Sequence, residues 1–196
     1  GDFSEAILAH ARKHYGDRFV FTQFDAQEMP YPDASFDVVV IHEALYYVPD
    51  AKRFIAEARR VLRPGARVLL TNSNKDLFDF NPSPHSTKYH GVVELTKLFE
   101  EYGFSTTFWG SQPLREVSRV QKLTRPVKQL AVKLRLMPTT MRGKEIIKRI
   151  IFGKLLVMPS EIIPGMAEVE EVQKLPGDVA CDSHKIIYCL AQDTLT

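Results

Sequence analysis

A chain of 196 residues with 44% hydrophobic and 26% charged side chains has the balance of a globular domain with apolar material for one core. No apolar stretch approaches the roughly 20 residues that span a bilayer, and the opening Gly1-Asp2-Phe3-Ser4-Glu5 carries no signal-peptide pattern. Two cysteines, Cys181 and Cys189, exclude a cysteine cage or disulfide framework, so no metal is expected and reduced thiols fit a cytoplasmic setting.

Net charge is +2, but its distribution is uneven. Residues 115–154 hold twelve Lys/Arg against two acids, Glu116 and Glu145, while the remainder holds fourteen against twenty-two. Such asymmetry marks the middle segment as an element with its own surface or partner.

In chain order, residues 4–15 predict a helix with Ser4 as N-cap, Ile7, Leu8 and Ala11 as its apolar stripe, and Gly16 as its end. Residues 18–24, rich in Val, Phe and Thr, predict a strand. Pro30, Pro32 and Asp33 mark a loop across 25–35. The β-branched run at 36–41 predicts a strand buried on both faces. A helix follows over 50–62, with Phe54, Ile55, Ala58, Val61 and Leu62 at helical spacing. Pro64-Gly65 should stop it before a strand at 66–71. Further on, a helix is expected at 92–102 and strands at 104–109 and 185–191. Between these strands lie helical pieces near 117–136 and 143–156, broken by Pro126 and Pro138. Strand and helix alternating at this pace predict an α/β fold built on a doubly wound sheet. Its core is expected over 1–112 and 180–196, with a basic helical insertion or lid over 113–179 before the last strand.

Three blocks add a resemblance. The stretch from Phe24-Asp25-Ala26 through Pro30-Tyr31-Pro32-Asp33 to Phe36-Asp37-Val38-Val39 resembles the strand-4 region of class I S-adenosylmethionine-dependent methyltransferases. Arg59-Arg60-Val61-Leu62-Arg63-Pro64-Gly65-Ala66 is similar to that family's entry into strand 5, with Ala66 where a second Gly is usual. Leu95-Thr96-Lys97-Leu98-Phe99-Glu100-Glu101-Tyr102-Gly103-Phe104 is similar to its last helix before the terminal hairpin. The blocks keep the family's spacing and cover roughly 1–110 plus the final strand. The glycine-rich loop that follows strand 1 in the family is not found in these residues. On this resemblance the chain is expected to be an N-terminally truncated, Rossmann-like sheet without its first strand, with S-adenosyl-L-methionine as cofactor.

The resemblance also implies roles for single residues. In open α/β sheets ligands bind beyond the carboxyl ends of the strands. Asp2 stands where the family has an acid for the ribose hydroxyls, although a helix-capping or terminal acid reads the same way. Asp25 is expected to accept from the adenine amino group and the Ala26 N–H to meet a ring nitrogen; an Asp there can also simply start a turn. Phe3 packs on the adenine face or in the core. His42, directly after the strand, is the candidate catalytic base for a hydroxyl acceptor, or a side chain bonded to backbone that only touches cofactor. Tyr46 and Tyr47 are candidates for the acceptor pocket, His85 and His90 weaker ones, and Asp37 is structural.

The expected activity is methyl transfer to a small molecule, with sugar or lipid-linked compounds among the candidates. A methyltransferase-like binding module without catalysis and a nucleotide-cofactor oxidoreductase are the alternatives. The basic segment is expected to be a lid, an attractor of an anionic acceptor, or a peripheral contact with the inner face of a membrane through 113–158. Nucleic acid is the weakest reading, because the bases are not interleaved with aromatics.

Overall fold

The computed structural model describes residues 1–78, 80–114, 163–166 and 171–194. The helical pieces expected at 117–136 and 143–156, and the basic surface they would carry, lie outside the described residues.

Helix α1 (Glu5–Tyr15) starts where its cap predicts: the Ser4 hydroxyl accepts the Ile7 N–H, and Gly16, at φ 58°, ends it. Of its side chains only Leu8 is buried. A single 3-10 turn, Gly16–Arg18, leads into an extended stretch at 19–24. The strand expected at 18–24 is reduced to one parallel bridge, Asp2 with Gln23, flanked by Asp2 N–H donating to Thr22 and Phe24 N–H to Asp2. β-rich composition gives extended backbone, but a ladder needs a neighbour of matching length, and residue 2 supplies one rung.

The sheet holds β1 (Phe36–His42), β2 (Leu62–Ser73), β3 (Phe104–Pro113), β4 (Gln173–Leu175) and β5 (His184–Asp193), in the order β1-β2-β5-β3-β4. β1 and β2 are parallel and are joined by helix α2 (Ala51–Val61); β5 runs antiparallel to β2 and β3. The α/β, Rossmann-like layout expected from the sequence is present. Within the range expected as insertion, residues 173–175 instead lengthen the sheet, since Lys174 and its neighbours pair with 108–110 of β3.

β1 departs from its prediction. Its apolar run reads as a strand covered on both faces, yet Val38 and Val40 are exposed, Val40 by 65%. Among the described residues β1 ladders with β2 on one side only and its outward face is uncovered. β2 is longer than predicted. Pro64-Gly65 stops the helix but does not delay the strand: the register jumps between Phe36–Leu62 and Val38–Arg67, so this pair is absorbed as a bulge with Gly65 at φ 74°.

Helix α2 shows why the fold forms here. The Asp50 carboxylate accepts the N–H groups of Lys52 and Arg53, and Phe54, Ile55, Ala58 and Val61 turn inward. Helix α3 (Val92–Glu100) adds Val92, Leu95 and Phe99 to the same apolar cluster, against Val68, Leu70, Phe108 and Ile187 of the strands. Cys181 and Cys189 are free and buried, and burial pushes the Cys189 thiol well above its ordinary value. Among the described residues no helix is long and apolar enough to cross a membrane, and no group of acids, histidines and cysteines could hold a metal.

Candidate functional site

Along β1, from Phe36 to His42 at its carboxyl end, the chain leaves a cavity of about 830 Å³. One wall is β1 itself from Val38 to His42; the other is formed by Gly1, Asp2 and Phe3 with Phe24, Asp25, Ala26 and Gln27. The cofactor-binding and catalytic candidates Asp2, Phe3, Asp25, Ala26 and His42 all line this one space. Its volume suits a ligand of cofactor size.

The loop carrying Asp25 is fixed to α2. The Arg60 guanidinium donates to the carbonyls of Met29 and Tyr31 and to the carboxylates of Asp33 and Glu57, while Glu57 accepts the Met29 N–H. This pairing holds Glu57 below and Arg60 above their ordinary pKa values, so the clamp stays charged across the physiological range.

Asp25 itself is tied down by Gln27. Its Oδ1 accepts the Gln27 backbone N–H at 2.9 Å, and Gln27 Nε2 reaches both carboxylate oxygens at 3.0 Å. The backbone N–H, then the side-chain amide, hold the Asp25 carboxyl below the usual carboxylate range. Two carboxylate oxygens have about four acceptor directions, so capacity for a ligand donor remains. Asp2 is engaged locally through Oδ1, which accepts the Ser4 N–H at 2.7 Å. Phe3 is 77% exposed; of its two readings, core and ligand-facing, the first is excluded.

At the other end, His42 Nδ1 lies 2.7 Å from the Thr71 hydroxyl, which also accepts the Glu43 N–H at 3.1 Å. Glu43 is a non-glycine residue at φ 48°. Its Oε2 accepts from Ser73 Oγ at 2.5 Å and from the Tyr46 hydroxyl at 3.1 Å, and its buried Oε1 has no partner. Burial, with the Glu43 charge beside it, raises the Tyr46 phenol far above its ordinary pKa, so it stays protonated and donates to Glu43. Tyr46 stacks on Tyr89 at 4.2 Å, while Tyr47 faces the cavity. His85 is exposed and His90 is buried, both outside the lining, and burial lowers the His90 pKa.

Residues 1–70 match the family model of a methyltransferase domain. A probable S-adenosylmethionine-dependent methyltransferase of Mycolicibacterium smegmatis is 37% identical over 107 residues, 53% of this chain and 41% of that one. The 27-O-demethylrifamycin SV methyltransferase of Amycolatopsis mediterranei is 40% identical over 119 residues, 56% of this chain and 41% of that one. Residues 1–70 thus carry the sequence of a methyltransferase domain, and the chain is similar to S-adenosylmethionine-dependent methyltransferases over about half its length. It spans about two fifths of the length of these curated relatives. In fold, the Thermotoga maritima S-adenosylmethionine-dependent methyltransferase, a possible histamine N-methyltransferase, superimposes with a TM-score of 0.58 at 17% identity, covering 98% of this chain and 71% of that one.

Several residues of this candidate site escape a reading of the sequence. Gln27, Thr71 and Ser73 are ordinary polar residues in an ordinary context, and only the fold brings Thr71 and Ser73 beside His42 and Glu43. Glu43 follows a strand without any glycine or asparagine to announce its left-handed backbone.

Proposed function

We propose that the cavity holds S-adenosyl-L-methionine and that the protein transfers its methyl group to a small-molecule acceptor. One observation carries this reading: two carboxylates, an exposed aromatic ring and a histidine, separated by up to forty positions in the chain, line a single cavity that runs along β1 to its carboxyl end. The donor set suits a nucleoside, with an acceptor for an exocyclic amino group, an acid for a diol and a flat face for a base. Bound there, S-adenosylmethionine supplies an electrophilic methyl group on a sulfonium.

Asp25, ionised and fixed in orientation, accepts from the adenine amino group, and the Ala26 N–H donates to the ring. Asp2 keeps Oδ2 for the ribose hydroxyls, and Phe3 covers the base. His42 removes the acceptor's proton when that acceptor is a hydroxyl. This role requires the tautomer in which Nδ1–H donates to Thr71, leaving the lone pair on Nε2. Positioning does the rest of the work, since an in-line substitution gains most from alignment.

Calorimetric titration with S-adenosylhomocysteine tests the reading. Asp25→Ala should cost roughly 1–3 kcal/mol of affinity, the penalty for an unpaired polar partner. Unchanged affinity removes Asp25 from the site. Binding of NAD in preference to S-adenosylhomocysteine would favour an oxidoreductase, and tight binding without turnover would leave a binding module.

The acceptor reading extends to charge. The Amycolatopsis relative is named for methylation of 27-O-demethylrifamycin SV, a small molecule. The excess of bases at 115–154 suits an acceptor that is anionic, sugar- or lipid-linked, and presented at an anionic membrane face. Each basic side chain near such a bilayer is worth about 1 kcal/mol, so co-sedimentation with anionic vesicles should fall steeply with salt. Sedimentation indifferent to both lipid charge and salt removes the membrane from the reading.

A further inference from the structure

We propose that Gln27 is a positioning residue for base recognition, an amide that fixes the Asp25 carboxylate as a one-sided acceptor and thereby sets selectivity for an amino-bearing purine. The inference rests on the reading of Asp25 given above. Gln27 is bound at both ends. Its Nε2 donates to Asp25 Oδ1 and Oδ2, each at 3.0 Å, and its Oε1 accepts the Asp50 N–H at 2.9 Å. Asp50 is in turn the N-cap of α2.

The orientation of the amide is forced. Turned over, its oxygen would face a carboxylate and its NH₂ would face an N–H donor, two repulsive contacts in place of three bonds. The terminal torsion of an aspartate is otherwise broad and two-fold, so an untethered Asp25 would sample several carboxylate planes. It would also be free to turn toward Arg53, whose charge acts on it. Gln27 removes that freedom and couples the carboxylate to the first turn of a helix that is packed into the core. Gln27 itself lines the cavity beside Asp25 and Ala26.

A fixed, ionised carboxylate accepts hydrogen bonds and donates none. It favours an amino group on the purine and opposes a carbonyl oxygen at the same place. If Gln27 supplies the fixing, its loss should erode that preference more than overall affinity.

The experiment compares S-adenosylhomocysteine with S-inosylhomocysteine by calorimetry in the full-length protein. Wild type should prefer the adenine ligand by about tenfold or more, the worth of one charge-assisted bond. Two variants are used. Gln27→Leu removes both ends of the amide; Gln27→Glu keeps the acceptor for the Asp50 N–H and sets a carboxylate against Asp25. Each should lower the preference by about tenfold while S-inosylhomocysteine binds within about threefold of wild type. Should Gln27→Leu not fold, as read by its thermal transition, Gln27→Glu decides alone. Equal weakening of both ligands assigns Gln27 a structural role only and overturns the proposal, as does an unchanged preference. A wild-type protein that binds both ligands alike overturns the Asp25 reading first, and the proposal with it.

Discussion

The two walls of the cavity are built differently. The β1–α2–β2 wall leans on a dry core in which Phe54, Ile55, Val61 and Val68 are essentially inaccessible. The N-terminal wall, residues 1–24, buries Leu8 and little else; Phe3, Ile7, Phe19 and Val20 are all exposed, Val20 by 93%. Its two ends are held to each other by one β-bridge, two backbone bonds and the Gln23 amide on the Phe3 carbonyl, and the Phe24 ring packs edge-on against Tyr31. A rigid wall can place groups accurately; a lightly attached one can adapt to what it covers. Asp25 and Ala26 sit at the seam, and Arg60, Glu57 and Gln27 draw them to the rigid side.

The contrast can be broken most directly in the core. Phe54→Ala should cost about 3–5 kcal/mol, from lost burial plus the residual cavity, whereas Phe19→Ala should stay within about 0.5 kcal/mol. Denaturant midpoints measure both, and similar losses would show that residues 1–24 are packed as firmly as the sheet. A smaller effect is expected at Phe3. Phe3→Ala should reduce S-adenosylhomocysteine affinity by about 0.5–1.5 kcal/mol, the usual worth of an aromatic face. It should leave thermal stability alone; a loss of stability without loss of affinity would reassign Phe3 to packing.

The smallest effect concerns His90, on the rigid side. Burial depresses its pKa, helped by Lys88 and Lys75 and opposed by Glu94, whose Oε2 is 3.9 Å from Nδ1. The unfolded chain takes up a proton near pH 6.5 while folded His90 remains neutral. Its contribution is therefore present above about pH 6.5 and is lost as pH falls through the lower folded value. Urea unfolding at stepped pH should show stability dropping on acidification, with a shallower slope in His90→Gln. Identical slopes would remove His90 as the source.

Much of the rigid wall was legible in the sequence, because helical spacing at Phe54, Ile55, Ala58 and Val61 and the Asp50 cap are local signals. Whatever depends on neighbours was not. The run at Val38–Val40 looks two-sided because apolar β-branched residues look the same whether or not the second face is covered. Gln173–Leu175 has no strand signature and pairs because β3 offers an edge. Residues 18–24 have the signature and, among the described residues, only the single bridge to Asp2. For the site, Asp25-Ala26 was legible as a pattern, whereas the partners that aim Asp25 and hold Glu43 are set by tertiary placement.

Helix α2 ends at Val61 and β2 begins at Leu62, with no connecting residue between them. Length variation cannot be absorbed at that junction: an inserted residue would rotate Arg60 away from Met29 and Tyr31 or shift β2 by one step against β1, turning Val68 and Leu70 outward. The irregular stretch between β2 and α3 is tied at Asn74, which donates to the Cys181 and His184 carbonyls, and at Thr87, which donates to those of Tyr46 and Val48, but Asn81 and Pro82 between these ties are exposed. A reporter peptide or an affinity handle therefore belongs at Asn81 and Pro82, and the helix-to-strand junction is the place to leave uncut.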